Sequence, residues 1–500
     1  MHSRPLNKSG AAADISGLFS DVPQLPPFTE TEEVLQTAFG QVQHSTGPLQ
    51  INVQDLLNEV HLKEADQSFK TLRRTIIEYT SPDGAPTKPS QQDEYTLYDS
   101  SVYAIAHTST SPTISRKTCE THLWIGKNAS SSLLETATAH ASTIAKDFSP
   151  GPPVQTPQSH EPASLFHALG GILITRKGTR QTASKNYMLC GRKHHSHIAF
   201  DELPSFAPGN LNSAFVYLLS HPKTLLETVL YLWKGSAASA EEISAARLAA
   251  MDLSQTGEVI EVDDGAEFSS FLKIFGLATS KADICRTGGF WARKRLAPEK
   301  FCMRLFAVRK LEVRGTLSGG LFGIFGRRPS GQASGGGGGF FGGGGAGSEE
   351  VKVEVKQVLP FAQDSFDAEG IFLLDVYSEL YVLVGPMFAA QMQQKPRLDV
   401  SPSGGGVPAV LLSQTLQLAA EYALVTTSSE DRPQVPKAWV VLPGAPTPRG
   451  LEWVCRFWDE GRGFWGTEGL MAGSAGVASS LNGKGVLELE EAMGRFCRPA

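Results

Sequence analysis

The clearest pattern of apolar and polar positions lies in residues 121–148, THLWIGKNASSSLLETATAHASTIAKDF. Its first part alternates around Leu123 and Ile125, which predicts a strand that enters a core. Gly126 ends this strand, and the serines that follow are good helix caps because their side chains accept hydrogen bonds from free backbone N–H groups. Apolar residues then recur at helical spacing as far as Ile144. The pattern predicts a core strand, a tight turn and one long amphipathic helix.

The same order of strand, glycine turn and long helix returns twice, at Val229–Leu253 and at Leu380–Val425. The turn glycines Gly126, Gly235 and Gly385 are about 110 and about 150 residues apart. The second interval shortens to roughly the first when a glycine-rich insert is removed. The spacing therefore indicates an internal repeat.

Each repeated unit has about five predicted strands, one long helix and one short helix. This composition favours an α+β fold in which a central mixed sheet is covered by helices. Val53–Leu62 has the pattern of a short helix, but its surroundings are polar and interrupted by prolines. The predicted organisation is a largely disordered N-terminal extension at residues 1–65, a first unit at 66–182, a second unit at 183–280, a linker at 281–300, a third unit at 301–465 with a flexible glycine-rich insert at 315–348, and a flexible tail at 466–500 with a C-terminal helix at Val486–Phe496.

Composition narrows the classes of function. The 500 residues carry a formal net charge of −6, so the chain has no overall basic field for nucleic acid. Six scattered cysteines form no C-x-x-C pair, and the N-terminus lacks the apolar core of a signal peptide, which together favour free thiols in a reducing compartment. No run approaches the roughly 20 apolar residues of a membrane span. We therefore expect a cytoplasmic protein without a transmembrane segment.

No residue pattern indicates catalysis. The chain has no G-x-S-x-G, H-E-x-x-H or phosphate-loop motif. The spaced glycines of the insert have neither a predicted strand before them nor a helix after them. His194, His195 and His197 include two neighbours and have no cysteine nearby, so a solvated basic strand is favoured over a metal site. We predict a binding protein rather than an enzyme.

A basic stretch lies at the junction of the first and second units. Two interpretations stay open: the side chains converge on an anionic surface such as a phosphoinositide head group, or they belong to an ordinary solvated linker. The candidate phosphoinositide-binding residues are Arg176, Lys177, Arg180, Lys185, Arg192 and Lys193.

Several segments carry a resemblance to a known family. A strand that runs through a glycine turn into the long helix occurs as HLWIGKNAS, YLWKGSAASAEE and LYVLVGPMFAA. The segment SHEPASLFHALGGILITRKGTR after the first long helix contains Glu-Pro, a Leu-Phe…Gly-Gly pattern and Lys-Gly-Thr, and GLEWVCRFWDEGRGFW ends the third unit. By the order and spacing of these segments, residues 70–465 resemble the gelsolin/villin family of actin-binding repeats, and in particular the C-terminal half of a six-repeat member.

The resemblance implies three tandem gelsolin-like domains and a cytoskeletal protein that binds actin. In the family the long helix inserts into a cleft at one end of the actin subunit, and such a contact requires apolar residues on an exposed stripe. We expect about half of the stripe to pack on the unit's own sheet instead. The candidate actin-binding residues in the first unit are Leu133, Leu134, Ala137, His140, Ala141 and Ile144.

The resemblance also implies a calcium site in each repeat, made by an Asp that opens the central strand and a Glu in the long helix. Calcium requires several oxygen ligands. The first unit has Ser100–Ser101 and Leu133 at these positions, and the second keeps Glu242 but lacks the Asp. The third has Gly370 and Met392. Because every unit lacks at least one charged ligand, we expect no metal site and weak or no calcium dependence.

Two hypotheses of different classes follow. The first is an actin-binding protein that caps, severs or binds the sides of filaments. The second is a non-actin scaffold, in which the same repeats form a protein-interaction module. The missing calcium ligands and the glycine-rich insert make the second hypothesis a competitor.

Overall fold

The fold is described from a computed structural model of the chain. The predicted insert at 315–348 lies outside the described residues, as do most of the predicted N-terminal extension and the first part of the predicted tail. Among the described residues, no helix combines the length and apolar character needed to cross a membrane. The described residues are 35, 38–39, 47–64, 70–110, 117–148, 151–194, 197–224, 227–254, 258–285, 288–311, 351–393, 407–466 and 485–497.

The helices and strands lie along the chain in the following order. The N-terminal segment and first unit contain α1 (Val53–Glu64), β1 (Lys70–Tyr79), β2 (Thr96–Tyr98), β3 (Val102–Thr110), β4 (Lys117–Ile125), α2 (Ser131–Phe148), β5 (Val154–Pro157), α3 (Ala163–Leu169) and β6 (Ile172–Arg176). The second unit and the segment after it contain β7 (Tyr187–His194), β8 (His197–Glu202), β9 (Val216–Pro222), β10 (Thr228–Lys234), α4 (Ala240–Leu253), β11 (Val259–Asp263), α5 (Ser269–Leu272) and α6 (Gly289–Arg293). The third unit and the C-terminal segment contain β12 (Arg304–Lys310), β13 (Val353–Val358), β14 (Ile371–Asp375), β15 (Glu379–Val384), α7 (Pro386–Gln393), α8 (Val407–Ser429), β16 (Lys437–Val441), β17 (Val486–Glu488) and α9 (Leu489–Phe496).

The architecture is α+β, as predicted. Mixed sheets of four, seven and six strands have the orders β1-β3-β4-β5, β11-β10-β9-β7-β8-β6-β2 and β13-β12-β14-β15-β16-β17. A long helix covers one face of each sheet, namely α2 in the first unit, α4 in the second and α8 in the third. These helices bury the apolar stripes that the sequence pattern identifies, because a sheet and a helix each have an apolar surface that must be removed from water.

The three turn glycines have the same geometry. A Cβ added to Gly126, Gly235 or Gly385 would lie 2.3–2.4 Å from a backbone carbonyl oxygen near the start of the neighbouring central strand. Each glycine N–H also donates to a carbonyl oxygen in that region, at 3.0–3.1 Å. Only glycine allows this close backbone approach between strand and helix. The repeated turn predicted from the spacing is therefore a repeated structural feature.

The first and second units share one sheet. Strand β6 pairs in parallel with β8, and β2 pairs in parallel with β6, so two strands of the first unit extend the sheet of the second. The predicted boundary between residues 182 and 183 thus crosses a continuous sheet, which combines five strands of the second unit with two of the first. Pairing removes the open edge that β8 would otherwise present.

The second and third units share one core. Phe215 and Trp233 of the second unit lie in the same apolar cluster as Phe372 and Trp439 of the third. The segment at 281–300, predicted as a linker, contributes the buried Phe290 and Trp291 to it. The Trp291 indole N–H donates to the carbonyl of Gly450 at 2.7 Å. This segment is part of the core because its aromatic side chains are buried only where the two units meet.

Part of the N-terminal extension, the helix predicted near Val53–Leu62, packs against the third unit. Helix α1 buries Val53, Leu57 and Val60 in the cluster that surrounds α8. The Gln50 backbone N–H donates to the Gln414 side-chain oxygen at 2.7 Å. Sequence pattern identified the helix but not its neighbour, because the surface that it covers lies more than 300 residues away.

The C-terminal helix occurs as α9, over a shorter span than the predicted Val486–Phe496. The first three residues of the predicted span, Val486–Glu488, instead form strand β17, which pairs antiparallel with β16. Helix α9 then packs beside α8, and the Phe496 ring meets Phe39 of the N-terminal segment with centroids 5.2 Å apart. Both ends of the described chain therefore contact the long helix of the third unit.

A buried ionic contact ties all three units together. Arg456 of the third unit lies 2.7 Å from Glu161 of the first and 2.7 Å from Asp201 of the second. Burial alone raises the pKa of Asp201, but the Arg456 guanidinium outweighs burial and lowers it. Because one guanidinium pairs with both buried carboxylates here, removal of Arg456 would leave two unpaired negative charges in the interior.

Candidate partner-binding helices

The long helix of the first unit divides the predicted actin-binding residues into two groups. Leu133, Ala137 and Ala141 are buried against the sheet of their own unit, so they are not part of a free surface. Leu134, His140 and Ile144 retain exposed or half-exposed side chains. The expectation that about half of the stripe packs internally describes this division.

The outer face of α2 is mostly polar. The Tyr79 hydroxyl and His140 Nδ1 are 2.7 Å apart, which holds the imidazole beside the sheet. Burial raises the pKa of Tyr79 to about 12, so its hydroxyl stays protonated at neutral pH. Exposed positions on the helix include Glu135, Thr136 and Thr143. With few apolar anchors, this face is poorly suited to an apolar groove.

The long helix of the second unit has a different outer face. Leu248 is 60% exposed and Met251 is 68% exposed, and the two lie three residues apart on one side of α4. Ala246 and Ala250 occupy the opposite side and are fully buried against the sheet. The helix therefore packs through small alanines together with Ile243 and Leu253, and presents Leu248 and Met251 to solvent.

The sequence contained a signal for this surface. Residues 245, 246, 249 and 250 of ASAEEISAARLAAMDL are alanines at the helical spacing of a buried stripe, so Leu248 and Met251 fall outside it. Leu248 and Met251 were not among the predicted binding residues, because a large apolar side chain is normally expected in the core. The alanine stripe shows that the buried side of α4 is already occupied, which leaves these two residues outside it.

The start of α4 is fixed by hydrogen bonds. The Ser239 side chain accepts from the Glu242 N–H at 3.1 Å, and the Ser239 N–H donates to Glu242 Oε2 at 2.8 Å. This reciprocal arrangement is a capping box, which satisfies backbone N–H groups that have no partner within the helix. It also fixes the Glu242 carboxylate at the end of the helix that faces the third unit.

The residues at the family's calcium positions do not fit calcium. In the first unit, Leu133 is buried among apolar side chains where a Glu would be needed. In the second, the Lys294 ammonium lies 2.7–2.8 Å from both oxygens of Glu242. In the third, Met392 is partly buried against the core around α8. Calcium requires a set of free oxygen ligands, and these positions offer none.

Two further observations concern metals. Among the described residues, no three His, Cys, Asp or Glu side chains are grouped so as to hold a metal ion. His197 stacks on Phe166 with ring centroids 5.2 Å apart, and His194 lies 5.6 Å from the same ring. His195 is outside the described residues. His197 is buried, which corrects the predicted solvated strand at that position.

The predicted basic residues do not form one exposed surface. Lys177 and Lys185 are exposed, whereas Arg176 and Arg192 are buried. An anionic head group requires several cations on one accessible surface, and internal partners occupy most of these side chains. The internal contacts are Arg176 with Glu202 at 2.6 Å, Arg180 with Glu78 at 2.9 Å, Lys193 with Glu241 at 2.8 Å, and Arg192 with the carbonyl of Trp453 at 2.9 Å.

Comparisons with known protein families give matches in the first and second units. Residues 202–272, which include α4, match the family model described as a gelsolin repeat. Residues 76–177 match a domain of unknown function, DUF7904. No curated protein matches the chain.

Among solved structures, the crystal structure of the Thorarchaeota 2DGel3/rabbit actin complex contains a similar chain. The identity is 18%, and the match covers 41% of this chain and 99% of that chain with a TM-score of 0.16. A TM-score this low carries no evidence about function. The match of the family model concerns one part of the chain: residues 202–272, which include α4, are similar to a gelsolin repeat.

Proposed function

We propose that this protein binds actin, and that the outer face of α4 is its principal contact. The observation that carries the proposal is the exposed pair Leu248 and Met251 on the long helix of the gelsolin repeat. In the family that the chain resembles, the corresponding helix is the one that meets actin. Two large apolar side chains exposed three residues apart are the anchors that a helix-in-groove contact uses.

The expected contribution of Leu248 and Met251 to binding is large enough to measure. Full burial of a Leu or Met side chain stabilises a complex by about 1.5–3 kcal/mol. Removal of both anchors should therefore weaken binding by at least about tenfold, since about 1.4 kcal/mol corresponds to a factor of ten. Charged Arg247 and Asp252 flank the pair and would form its polar rim.

The first unit supplies a second and smaller contact in this proposal. Of the predicted actin-binding residues, His140 is exposed, whereas Leu134 and Ile144 are partly accessible and partly packed against the unit's own core. Helix α8 of the third unit is not part of the proposed contact, because α1 and α9 cover most of it and its one large exposed apolar residue, Leu424, has no exposed apolar neighbour beside it. Capping, severing and side-binding are all compatible with these surfaces, and we expect calcium dependence to be weak or absent.

Co-sedimentation with filamentous actin tests the proposal, with and without calcium. The variant Leu248→Asp with Met251→Asp should lose most of its pelleting, because two carboxylates would have to enter an apolar groove without partners. Leu277→Asp is the matched control, since Leu277 is 91% exposed and lies outside α4. Its pelleting should equal that of the wild type.

The outcomes separate the hypotheses. Pelleting of the double variant at the wild-type level would show that α4 is not the contact. Absence of wild-type pelleting, together with no effect on the assembly of pyrene-labelled actin, would favour the scaffold hypothesis. A large gain of pelleting on addition of calcium would contradict the expected calcium independence.

A further inference from the structure

A lysine lies at the position in the second unit where a divalent cation would contact Glu242. Lys294 is 3% exposed and Glu242 is 1% exposed. The Lys294 ammonium donates to Glu242 Oε1 at 2.8 Å, to Glu242 Oε2 at 2.7 Å and to the carbonyl oxygen of Ala214 at 2.7 Å. An ammonium group has three N–H donors, and all three have an acceptor here.

The carboxylate is equally well occupied. Besides Lys294, Glu242 Oε1 accepts from the Lys193 backbone N–H at 3.1 Å, and Oε2 accepts from the Ser239 N–H at 2.8 Å. The carbonyl of Ala214 comes from the residues that open the central strand of the second unit. The Lys294 ammonium, the Glu242 carboxylate and the Ala214 carbonyl thus satisfy one another's hydrogen bonds. The cation in this group is a lysine side chain and not a bound metal ion.

Lys294 comes from the segment that joins the second and third units. The residue before it, Arg293, lies 2.7 Å from Glu379 of the third unit. Two successive basic residues therefore pair with opposite units, Arg293 with the third and Lys294 with the second. Trp291, two residues before Arg293, lies in the core and anchors the segment by its hydrogen bond to Gly450.

We infer that Lys294 is a resident cation that replaces a divalent metal at Glu242 and permanently fastens the segment at 289–296 to the second unit. A metal would bind this group only after displacing the ammonium from both carboxylate oxygens. The contact between the joining segment and the second unit is therefore made by the charge of a lysine side chain, which is part of the protein, and it does not respond to calcium. This inference concerns the coupling between units and does not depend on actin binding.

Chemical labelling of lysines in the full-length wild-type protein tests the inference without any variant. Sulfo-NHS-acetate acetylates accessible amines, and mass spectrometry reports the modified positions. Lys300 is the internal reference, since its side chain is 51% exposed in the same segment. Lys294 should react at least tenfold more slowly than Lys300, and addition of calcium chloride should leave this ratio unchanged. Rapid labelling of Lys294, or an increase on addition of calcium, would overturn the inference.

A thermal-shift measurement supplies the complementary test. The wild type should have the same Tm in calcium chloride and in EGTA, whereas Lys294→Ala frees the oxygens of Glu242 and Ala214 and should gain a calcium-dependent rise in Tm. Adding Glu242→Gln to that variant should abolish the rise. A folded Lys294→Ala protein without a calcium response would contradict the inference, as would a wild-type response that Glu242→Gln removes. Should Lys294→Ala fail to fold, the labelling result decides, because it uses only the wild type.

Discussion

The long helices of the second and third units have similar positions on their sheets and opposite surroundings. Helix α4 has one buried side, and its outer side presents Leu248 and Met251 to solvent. Helix α8 is buried on nearly all sides between residues 409 and 419, including the polar residues Ser413 and Gln414, and exposes Leu424 only near its end. The two helices show that a repeated element does not imply a repeated surface.

The difference arises from the ends of the described chain. Helix α1 lies on one side of α8 and α9 on another, and both contribute apolar residues to its core. Gln414 bonds to this cover in two ways, since its amide donates to the carbonyl of Pro48 at 2.9 Å and its oxygen accepts from Gln50. A polar residue that would otherwise face water is thereby satisfied inside the protein. We conclude that most of the long helix of the third unit is covered by other parts of the chain and is not available to a partner.

Truncation of one leucine in each helix should give the largest contrast in stability. Leu416 is fully buried between the sheet and the helices that cover α8. Leu416→Ala should lower the free energy of unfolding by about 4 kcal/mol through lost burial and a new cavity. Leu248→Ala should change it by less than about 0.5 kcal/mol, because its side chain is mostly in water. Urea unfolding followed by tryptophan fluorescence measures both, and equal losses would show that α4 is covered as α8 is.

The end of α8 should give the molecule a buried acid-sensitive contact, whereas the carboxylate that pairs with α4, Glu261 beside Arg247, is largely exposed. Burial raises the pKa of Glu430, but the guanidinium groups of Arg304 and Arg432 outweigh burial and bring it to about 2. This value is below the unfolded value of about 4.3, so the stabilisation is complete above about pH 4.5 and disappears as the pH falls toward 2. Its size is on the order of 3 kcal/mol.

Glu430→Gln tests this acid sensitivity. The variant should be less stable than the wild type at pH 7, and its stability should fall less between pH 5 and pH 3, because glutamine does not take up a proton in this range. Urea unfolding at pH 7, 5 and 3 measures the difference. Parallel losses in the two proteins would contradict the low pKa of Glu430.

Weakening the cover on α8 should have an intermediate effect. Leu57 of α1 is fully buried in the core around α8. Leu57→Ala should cost about 2 kcal/mol, at the lower end for a buried leucine because a peripheral helix adjusts more easily than a sheet. Hydrogen–deuterium exchange should become faster in residues 53–64 and 407–429, with no change in α4. Asn58→Ala, on the exposed side of α1, is the control. Unchanged exchange in 407–429 would show that α1 does not protect α8.

The smallest effect is expected at the edge of the same contact. His61 Nε2 lies 2.8 Å from Glu430 Oε1, and the histidine side chain is 43% exposed. His61→Ala should lower stability by less than about 0.5 kcal/mol at pH 7, because exposed ion pairs contribute little. A loss above about 2 kcal/mol in urea unfolding would mean that α1 is held mainly by this pair and not by its apolar residues.

Local pattern located the elements well where a short stretch of chain contained all the information. The glycine after Ile125 and the serines after it placed the first long helix, and α2 begins at Ser131 and ends at Phe148. The candidate binding residues were less accessible to prediction. A stripe of apolar residues on a helix identifies its packed side, and Leu133, Ala137 and Ala141 lie on that side. Exposed apolar residues have no period of their own, so Leu248 and Met251 can be identified from the sequence only indirectly, as apolar residues that fall outside the alanine stripe of α4.

The amino-acid sequence by itself determined the order of strands and helices, the three glycine turns and the α+β class, because these depend on side-chain periodicity and on backbone freedom within a few residues. Tertiary structure alone decided which surfaces remain free. The strand β6 joins its neighbour's sheet, α1 covers a helix more than 300 residues away, and Lys294 reaches Glu242 from another segment. Such contacts depend on how distant segments of the chain come together in the folded protein. Because apolar burial is not directional, a sequence pattern shows that a surface is buried but not which segment covers it.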